Sequence, residues 1–174
     1  MDVFVAYSLP IQGLKSGVHH YKFELDNAFF AQFEGSPVQD GKVHFDLELD
    51  RRPDMMLLQF TLEGYVGAEC DRCTANIHLP IEDEQQLIVK FAEEDMETDD
   101  EEVIFIQREA PEFNVAKYLY EFVVLALPIT NTYDCENDPN PPCNREVLKH
   151  LNPDQNDPSG SSIWDSLKNL KSDN

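Results

Sequence analysis

The chain has 174 residues, enough for one ordinary domain that buries a real core without covalent staples. Its 13 Lys and Arg stand against 34 Asp and Glu, a formal charge of −21, which disfavours strong direct binding of phosphate backbones and suits encounter with basic partners, simple solubility being the plainer use of the same charge. No window approaches the roughly 18 consecutive apolar residues of a membrane-spanning helix, and the start Met1-Asp2-Val3-Phe4 is acidic where an export signal would be basic, so the expectation is a soluble, cytoplasmic chain with reduced thiols.

In chain order, Ser8-Leu9-Pro10-Ile11 reads as an extended lead-in, interrupted by Gly13 and Gly17. Tyr21-Lys22-Phe23-Glu24-Leu25 alternates strictly, the mark of a strand with one buried face, and Phe29, Phe30 and Phe33 read as core. His19-His20 has no acidic or thiol neighbour in sequence and is assigned to the surface rather than to a metal. Residues 43–49 alternate, and residues 56–62 do so again after a turn at Arg52-Pro53-Asp54, which predicts an antiparallel pair. Residues 64–67 run extended into Cys70, and residues 77–81 leave Cys73 extended, so Cys70-Asp71-Arg72-Cys73 falls at a strand-to-strand turn. Residues 86–91 form a further strand, with Leu87, Val89 and Phe91 on one face.

Residues 93–102 are acidic at eight of ten positions, a block that cannot enter a core and reads as a solvated loop, with contact to basic protein or cations as its functional alternative. The calcium-loop pattern with its central Gly is absent. Residues 103–106 restore a short buried strand. The clearest helix covers residues 115–127, with Asn114 as N-cap, an apolar stripe of Val115, Tyr118, Leu119, Phe122, Leu125 and Ala126, and Pro128 as its stop. A turn-rich stretch carrying Cys135 and Cys143 follows, then a short helix at residues 145–151. Residues 152–161 have linker composition, and residues 163–171 place Ile163, Trp164, Leu167 and Leu170 on one helical face, for docking either on the domain or on a partner.

Cys70, Cys73, Cys135 and Cys143 are the only cysteines, spaced C-x2-C and C-x7-C. Four soft sulfurs in two close pairs point to a structural Zn²⁺ held tetrahedrally, which would supply folding energy where the local chain is too turn-rich to hold itself. Against it stand the long second spacer and the lack of a Gly after Cys73 to ease a tight knuckle, while His78 or His150 could replace a cysteine. Two other readings stay open. A C-x-x-C can be a thiol redox centre, although the extended segment after Cys73 offers no helix dipole; or the four are ordinary reduced cysteines. No G-x-S-x-G elbow, phosphate-cradling Gly-rich loop or H-E-x-x-H occurs, so an enzyme is not expected.

Taken together, the β-rich first half, the strand into Cys70-Asp71-Arg72-Cys73, the acidic segment, the helix ending Val124-Leu125-Ala126-Leu127-Pro128, Cys143-Asn144 and the closing Asp157-Pro158 and Trp164-Asp165-Ser166-Leu167-Lys168-Asn169-Leu170 resemble one known family. Over roughly residues 15–172 the chain is similar to the YceD-like family, the large ribosomal RNA subunit accumulation proteins. That resemblance implies a bacterial or organellar factor needed for normal levels or processing of large-subunit ribosomal RNA, predicted to bind metal and without implied enzymatic activity. By position, Cys70 and Cys73 match the family's C-x-x-C, and Cys135 and Cys143 fall in its later cysteine-bearing segment. The Gly-Leu-Cys-x-x-Cys-Gly run of many relatives is absent here.

The sequence thus predicts an α+β fold, an antiparallel sheet or partly open barrel followed by one main helix, a Cys-containing loop region and a C-terminal helix. Residues 1–151 form the domain and 152–174 the linker and amphipathic tail. The expected role is non-enzymatic: support of large-subunit ribosomal RNA through a basic ribosomal protein or assembly factor, touching the RNA indirectly, with no membrane and no small-molecule substrate. The alternatives are a direct RNA-binding zinc module, with Arg72 and Arg145 flanking the metal, and a thiol redox protein.

Overall fold

The computed structural model describes residues 3–38, 40–92, 103–135 and 137–151. A 3-10 turn at Val3–Tyr7 leads into β1 (Ser8–Pro10), then β2 (Gly17–Leu25), a short α1 (Asn27–Phe30), β3 (Gly41–Arg51), β4 (Met55–Glu69), β5 (Asn76–Ala92), β6 (Val103–Gln107), β7 (Glu112–Asn114), α2 (Ala116–Leu125) and α3 (Arg145–Leu151). Strands β2 to β6 make a five-stranded sheet in sequence order, and β1 pairs with β7 in a second, two-stranded sheet. The fold is therefore α+β, as an open sheet with no closed barrel. The main sheet is mixed rather than wholly antiparallel, because β6 runs parallel to β5 from Ile88 opposite Val103 to Ala92 opposite Gln107. A parallel neighbour needs a crossover, and residues 93–102, which make it, lie outside the described residues.

Alternation builds the sheet. Val43, Phe45, Leu47 and Leu49 of β3 and Met56, Leu58, Phe60, Leu62 and Val66 of β4 are all buried, while the residues between them face outward. The two strands expected at residues 77–81 and 86–91 are one continuous β5. Asp83 and Gln85 occupy the two core-side slots between its apolar runs, half-buried, and Gln85 Nε2 donates to Asp83 Oδ2 at 2.6 Å. The polar pair satisfies itself, so the strand passes through.

Against this face lie α2 and the N-terminal segment. Ala116, Leu119, Phe122 and Val123 of α2 are buried, with the Phe122 ring 5.2 Å from Phe60. Tyr120 stacks on Phe33 at 3.8 Å, and Tyr7 meets Phe29 at 4.9 Å. The apolar stripe is rotated from the predicted one: Leu125 is 67% exposed, and the helix buries Val123 beside Phe122 because the broad sheet takes the 116, 119, 122, 123 arc. α2 also stops at Leu125, short of the predicted residue 127. Its cap residue is Val115 and not Asn114, yet Asn114 still serves the helix start, its Oδ1 accepting from the Ala116 N–H at 2.9 Å. Its Nδ2 donates to the Phe4 carbonyl at 2.7 Å and to Ser8 Oγ at 3.0 Å, which ties the helix to the N-terminal segment. α3 spans the predicted residues and buries none of them. The predicted linker and tail at 152–174 lie outside the described residues, among which no helix is long and apolar enough to cross a membrane.

One close approach gives a test. A Cβ on Gly64 would stand 2.2 Å from the Lys42 carbonyl oxygen and 2.7 Å from Val43 Cα, both backbone atoms of β3. Gly64→Ala is expected to lower stability by about 1–3 kcal/mol in urea denaturation. A loss under about 0.5 kcal/mol would mean that β3 and β4 are not held this tightly.

Candidate functional site

Cys70 and Cys73 occupy the turn of the β4–β5 hairpin, just past the Glu69–Asn76 pair. The Cys70 N–H donates to the Ala75 carbonyl and the Thr74 N–H to the Cys70 carbonyl, each at 2.8 Å. Closing so tight a loop needs a left-handed residue, a conformation that Gly adopts freely. Thr74 takes it instead, at φ 56°. Both thiols are free and their residues are buried. Burial pushes the Cys70 thiol up, but hydrogen bonds to its sulfur from the backbone at Arg72, Cys73 and Tyr133, and from the Cys73 side chain, outweigh burial and leave its pKa below the usual thiol range. No helix starts here, so no dipole takes part.

The Tyr133 contact brings the second cysteine segment against the first. The Asp71 N–H donates to the Asn131 carbonyl at 2.8 Å, and the Asn131 N–H donates to Asp71 Oδ2 at 2.7 Å. Cys135 and Cys143 are joined to each other in a disulfide. From just before that loop the Tyr133 hydroxyl donates to the carboxylate of Asp138 within it, which holds the Asp138 carboxyl below its usual range and raises the Tyr133 phenol. The four predicted sulfurs are thus two adjoining pairs, one free and one bonded. Among the described residues no group of three or more His, Cys, Asp or Glu is placed to hold a metal ion. With the disulfide in place the set does not fit a closed four-thiolate site, because a zinc ligand must be a thiolate. His78 lies 3.9 Å from Asp40 and its ring is 4.9 Å from Tyr65, and His150 is exposed on α3.

Beside the turn opens a cleft of about 930 Å³, lined by Asp40, Glu69, His78, Tyr133 and Pro142 among others. On the outer face of the main sheet, strand register sets charges in rows. One row runs Glu24, His44, Glu63, Glu82; the next runs Lys22, Asp46, Thr61, Glu84; a third runs His20, Glu48, Gln59, Gln86. Lys22 pairs with Asp46 at 2.7 Å and Lys42 with Glu24 at 3.0 Å. Glu48, Glu63, Glu82 and Glu84 have no salt bridge among the described residues, and Glu63 and Glu82 stand directly opposite each other. The sequence pattern marks Glu48 as a polar position of an alternating strand and leaves Glu63, Glu82 and Glu84 between the predicted strands. Their convergence depends on cross-strand register, which alternation alone does not number.

A family model, described as large ribosomal RNA subunit accumulation protein YceD, matches residues 58–171. Neither the curated proteins nor the solved structures yielded a match. The matched span begins within β4 and holds both cysteine pairs, Glu63 and Glu82.

The strained turn is open to direct test. A β-branched residue in the left-handed region costs about 1–3 kcal/mol. Thr74→Gly is expected to recover part of this, raising stability by about 1 kcal/mol after the entropy of the added Gly is subtracted. Urea denaturation reads the change, and a destabilised variant would place Thr74 in another conformation.

Proposed function

The chain belongs to the YceD family of large ribosomal RNA subunit accumulation proteins, and from that premise we propose that it acts without catalysis, by holding a basic ribosomal protein or assembly factor on the outer face of its sheet. The observation that carries this reading is the facing pair of Glu63 and Glu82. Like charges directly opposite on a sheet are destabilising, by a few tenths of a kcal/mol up to about 1 kcal/mol. A Lys or Arg from a partner laid across the row would turn that repulsion into attraction. The open sheet face has room for such a partner, and a net charge of −21 would speed its approach. The ribosomal RNA is then reached indirectly, through the basic protein that binds it.

Structural zinc enters this reading for the reduced chain alone. The observation in its favour is the set of hydrogen bonds at the Cys70 sulfur, which suits a thiolate, one of them coming from the backbone at Tyr133 in the segment that carries the second pair. Reduction of the Cys135–Cys143 bond would make two further thiols available beside Cys70 and Cys73, the four that would hold the ion.

Two measurements check these statements. Glu63→Gln and Glu82→Gln are each expected to leave the fold equally or slightly more stable, by up to about 0.5 kcal/mol, while lowering the yield of basic large-subunit proteins or assembly factors captured from cells. Undiminished capture by the double variant would remove the sheet face from the function. For the metal, elemental analysis of chain purified without chelator is expected to give about one zinc per chain under reducing conditions, lost on changing any of the four cysteines to Ser, and none after oxidation. Absence of zinc from the reduced chain would leave the cysteines with a packing and disulfide role only.

A further inference from the structure

Strand register defines the cleft beside the cysteine turn. β3 enters the sheet at Gly41, opposite Val66, whereas β4 runs on to Glu69. From Gly67 to Glu69 the strand therefore has β5 on one side and, among the described residues, no strand on the other. Along that open side the Gly67 N–H donates to the Asp40 carbonyl and, beyond the strand, the Asp71 N–H to the Asn131 carbonyl, each at 2.8 Å. The Cys70 N–H points the opposite way, to the Ala75 carbonyl. Backbone groups of successive residues in an antiparallel strand point to alternate sides, so the N–H and carbonyl of Glu69 face the open side, between the two filled positions.

This open place in the sheet is roomy and acidic. Its volume of about 930 Å³ is near the upper end of the roughly 300–1,000 Å³ of clefts that enclose a ligand. At about 3.3 Å per residue, Gly67 and Asp71 are at most about 13 Å apart, room for three or four residues of an incoming strand. The lining has no Lys or Arg among the described residues, and its imidazole, His78, lies 3.9 Å from the Asp40 carboxylate. A phosphate would therefore meet carboxylates rather than cations. The Asp40 carboxylate rests against Gly67, where a Cβ would overlap it, and Glu69 is exposed. Pro37, Tyr133 and Pro142 offer apolar surface to the stem of a long cationic side chain. Gly67 and His78 stand opposite each other four residues along from Glu63 and Glu82, hence on the same side of the sheet.

We infer that the cleft takes a short extended segment of a basic protein as an added strand, its alternate Arg or Lys side chains meeting Asp40 and Glu69. The inference rests on the reading of the chain as a holder of a basic partner and states the form in which that partner binds. The Glu69 N–H and carbonyl supply main-chain pairing, as in strand addition at an open sheet edge, and the two carboxylates select for positive charge. A helix would suit the place less well. Its backbone groups are bonded to one another, which leaves those of Glu69 unused. Segments dense in Lys and Arg are disordered alone and can order on such an edge. Residues of the segment beyond the cleft then reach Glu63 and Glu82, about 13 Å along the strands from Gly67 and His78.

The test is fluorescence anisotropy of the full chain with a labelled, end-blocked peptide of about five residues in which Arg alternates with Thr, a length that matches the gap. Saturable binding is expected. Asp40→Asn and Glu69→Gln, both at exposed carboxylates, should each weaken it about two- to fivefold. Gly67→Ala keeps both charges but turns the Asp40 carboxylate aside, and should weaken it comparably. Only one edge of an added strand faces β4. N-methylation of the peptide at every second residue should therefore weaken binding roughly tenfold in one phase and leave it nearly unchanged in the other. Glu109→Gln, remote from the cleft, should have no effect. No saturable binding, equal loss in both N-methyl phases, equal loss in Glu109→Gln, or equal binding of a peptide with Glu in place of Arg would each overturn the assignment. Undiminished binding by Asp40→Asn with Glu69→Gln would overturn it too, and if Glu63→Gln with Glu82→Gln still lost capture of basic proteins, the sheet face would stand without the cleft.

Discussion

The long pairing of β4 with β5 is the constraint on which everything else rests. It runs in unbroken antiparallel register from Met55 opposite Lys90 to Glu69 opposite Asn76. Because side chains alternate with a period of two, a slip of one residue in either strand would exchange its core face for its solvent face. Phe60 would then leave Phe122, and the glutamates would be driven under α2. The same register sets what lies at the two ends: the cysteine turn past Glu69, and Phe91 with its arginines beyond Lys90.

The core leaves latitude for an unfavourable surface. Phe45, Leu47, Leu58, Phe60 and Leu62 are almost wholly buried, each contributing about 1.5–3 kcal/mol by removal from water. A repulsion of at most about 1 kcal/mol between Glu63 and Glu82 is small beside that. So is the strain at Thr74, which the hairpin over-determines through the bonds on either side of it. Both are local departures from what stability alone would select, and both lie in the part of the chain that the family model matches. Departures of this kind concentrate where a surface has work to do.

What was legible in the sequence was whatever a single strand or helix decides for itself. The alternation of residues 43–49 and 56–62 placed β3, β4 and the turn between them, and α3 emerged with the predicted bounds. β5 was read as two strands because Asp83 and Gln85 break the apolar pattern, and only their mutual hydrogen bond shows how both can sit on the core side. The parallel placement of β6 was not legible, since antiparallel and parallel neighbours present the same short apolar run. Nor was the rotation of α2, which is set by the width of the sheet beneath it. For the site, the spacing of the cysteines marked the turn but not their state. That Cys135 and Cys143 meet each other, and that Tyr133 reaches the Cys70 sulfur, are contacts between distant parts of the chain. The gathering of Arg51 and Arg108 over the Phe91 ring is likewise a contact between distant parts of the chain that no local pattern announces.

Distance decides which charges act on a partner. At about 3.3 Å per residue, the fifteen residues of β4 span roughly 50 Å, and the screening length at physiological ionic strength is about 8 Å. The net charge of −21 can therefore draw in a basic partner from afar, but once it is seated only the carboxylates within a few ångströms hold it. Glu63 and Glu82, opposite each other on the outer face, are placed to act together at that range, whereas Arg51 and Arg52 at the far end of the sheet are too distant to weaken them.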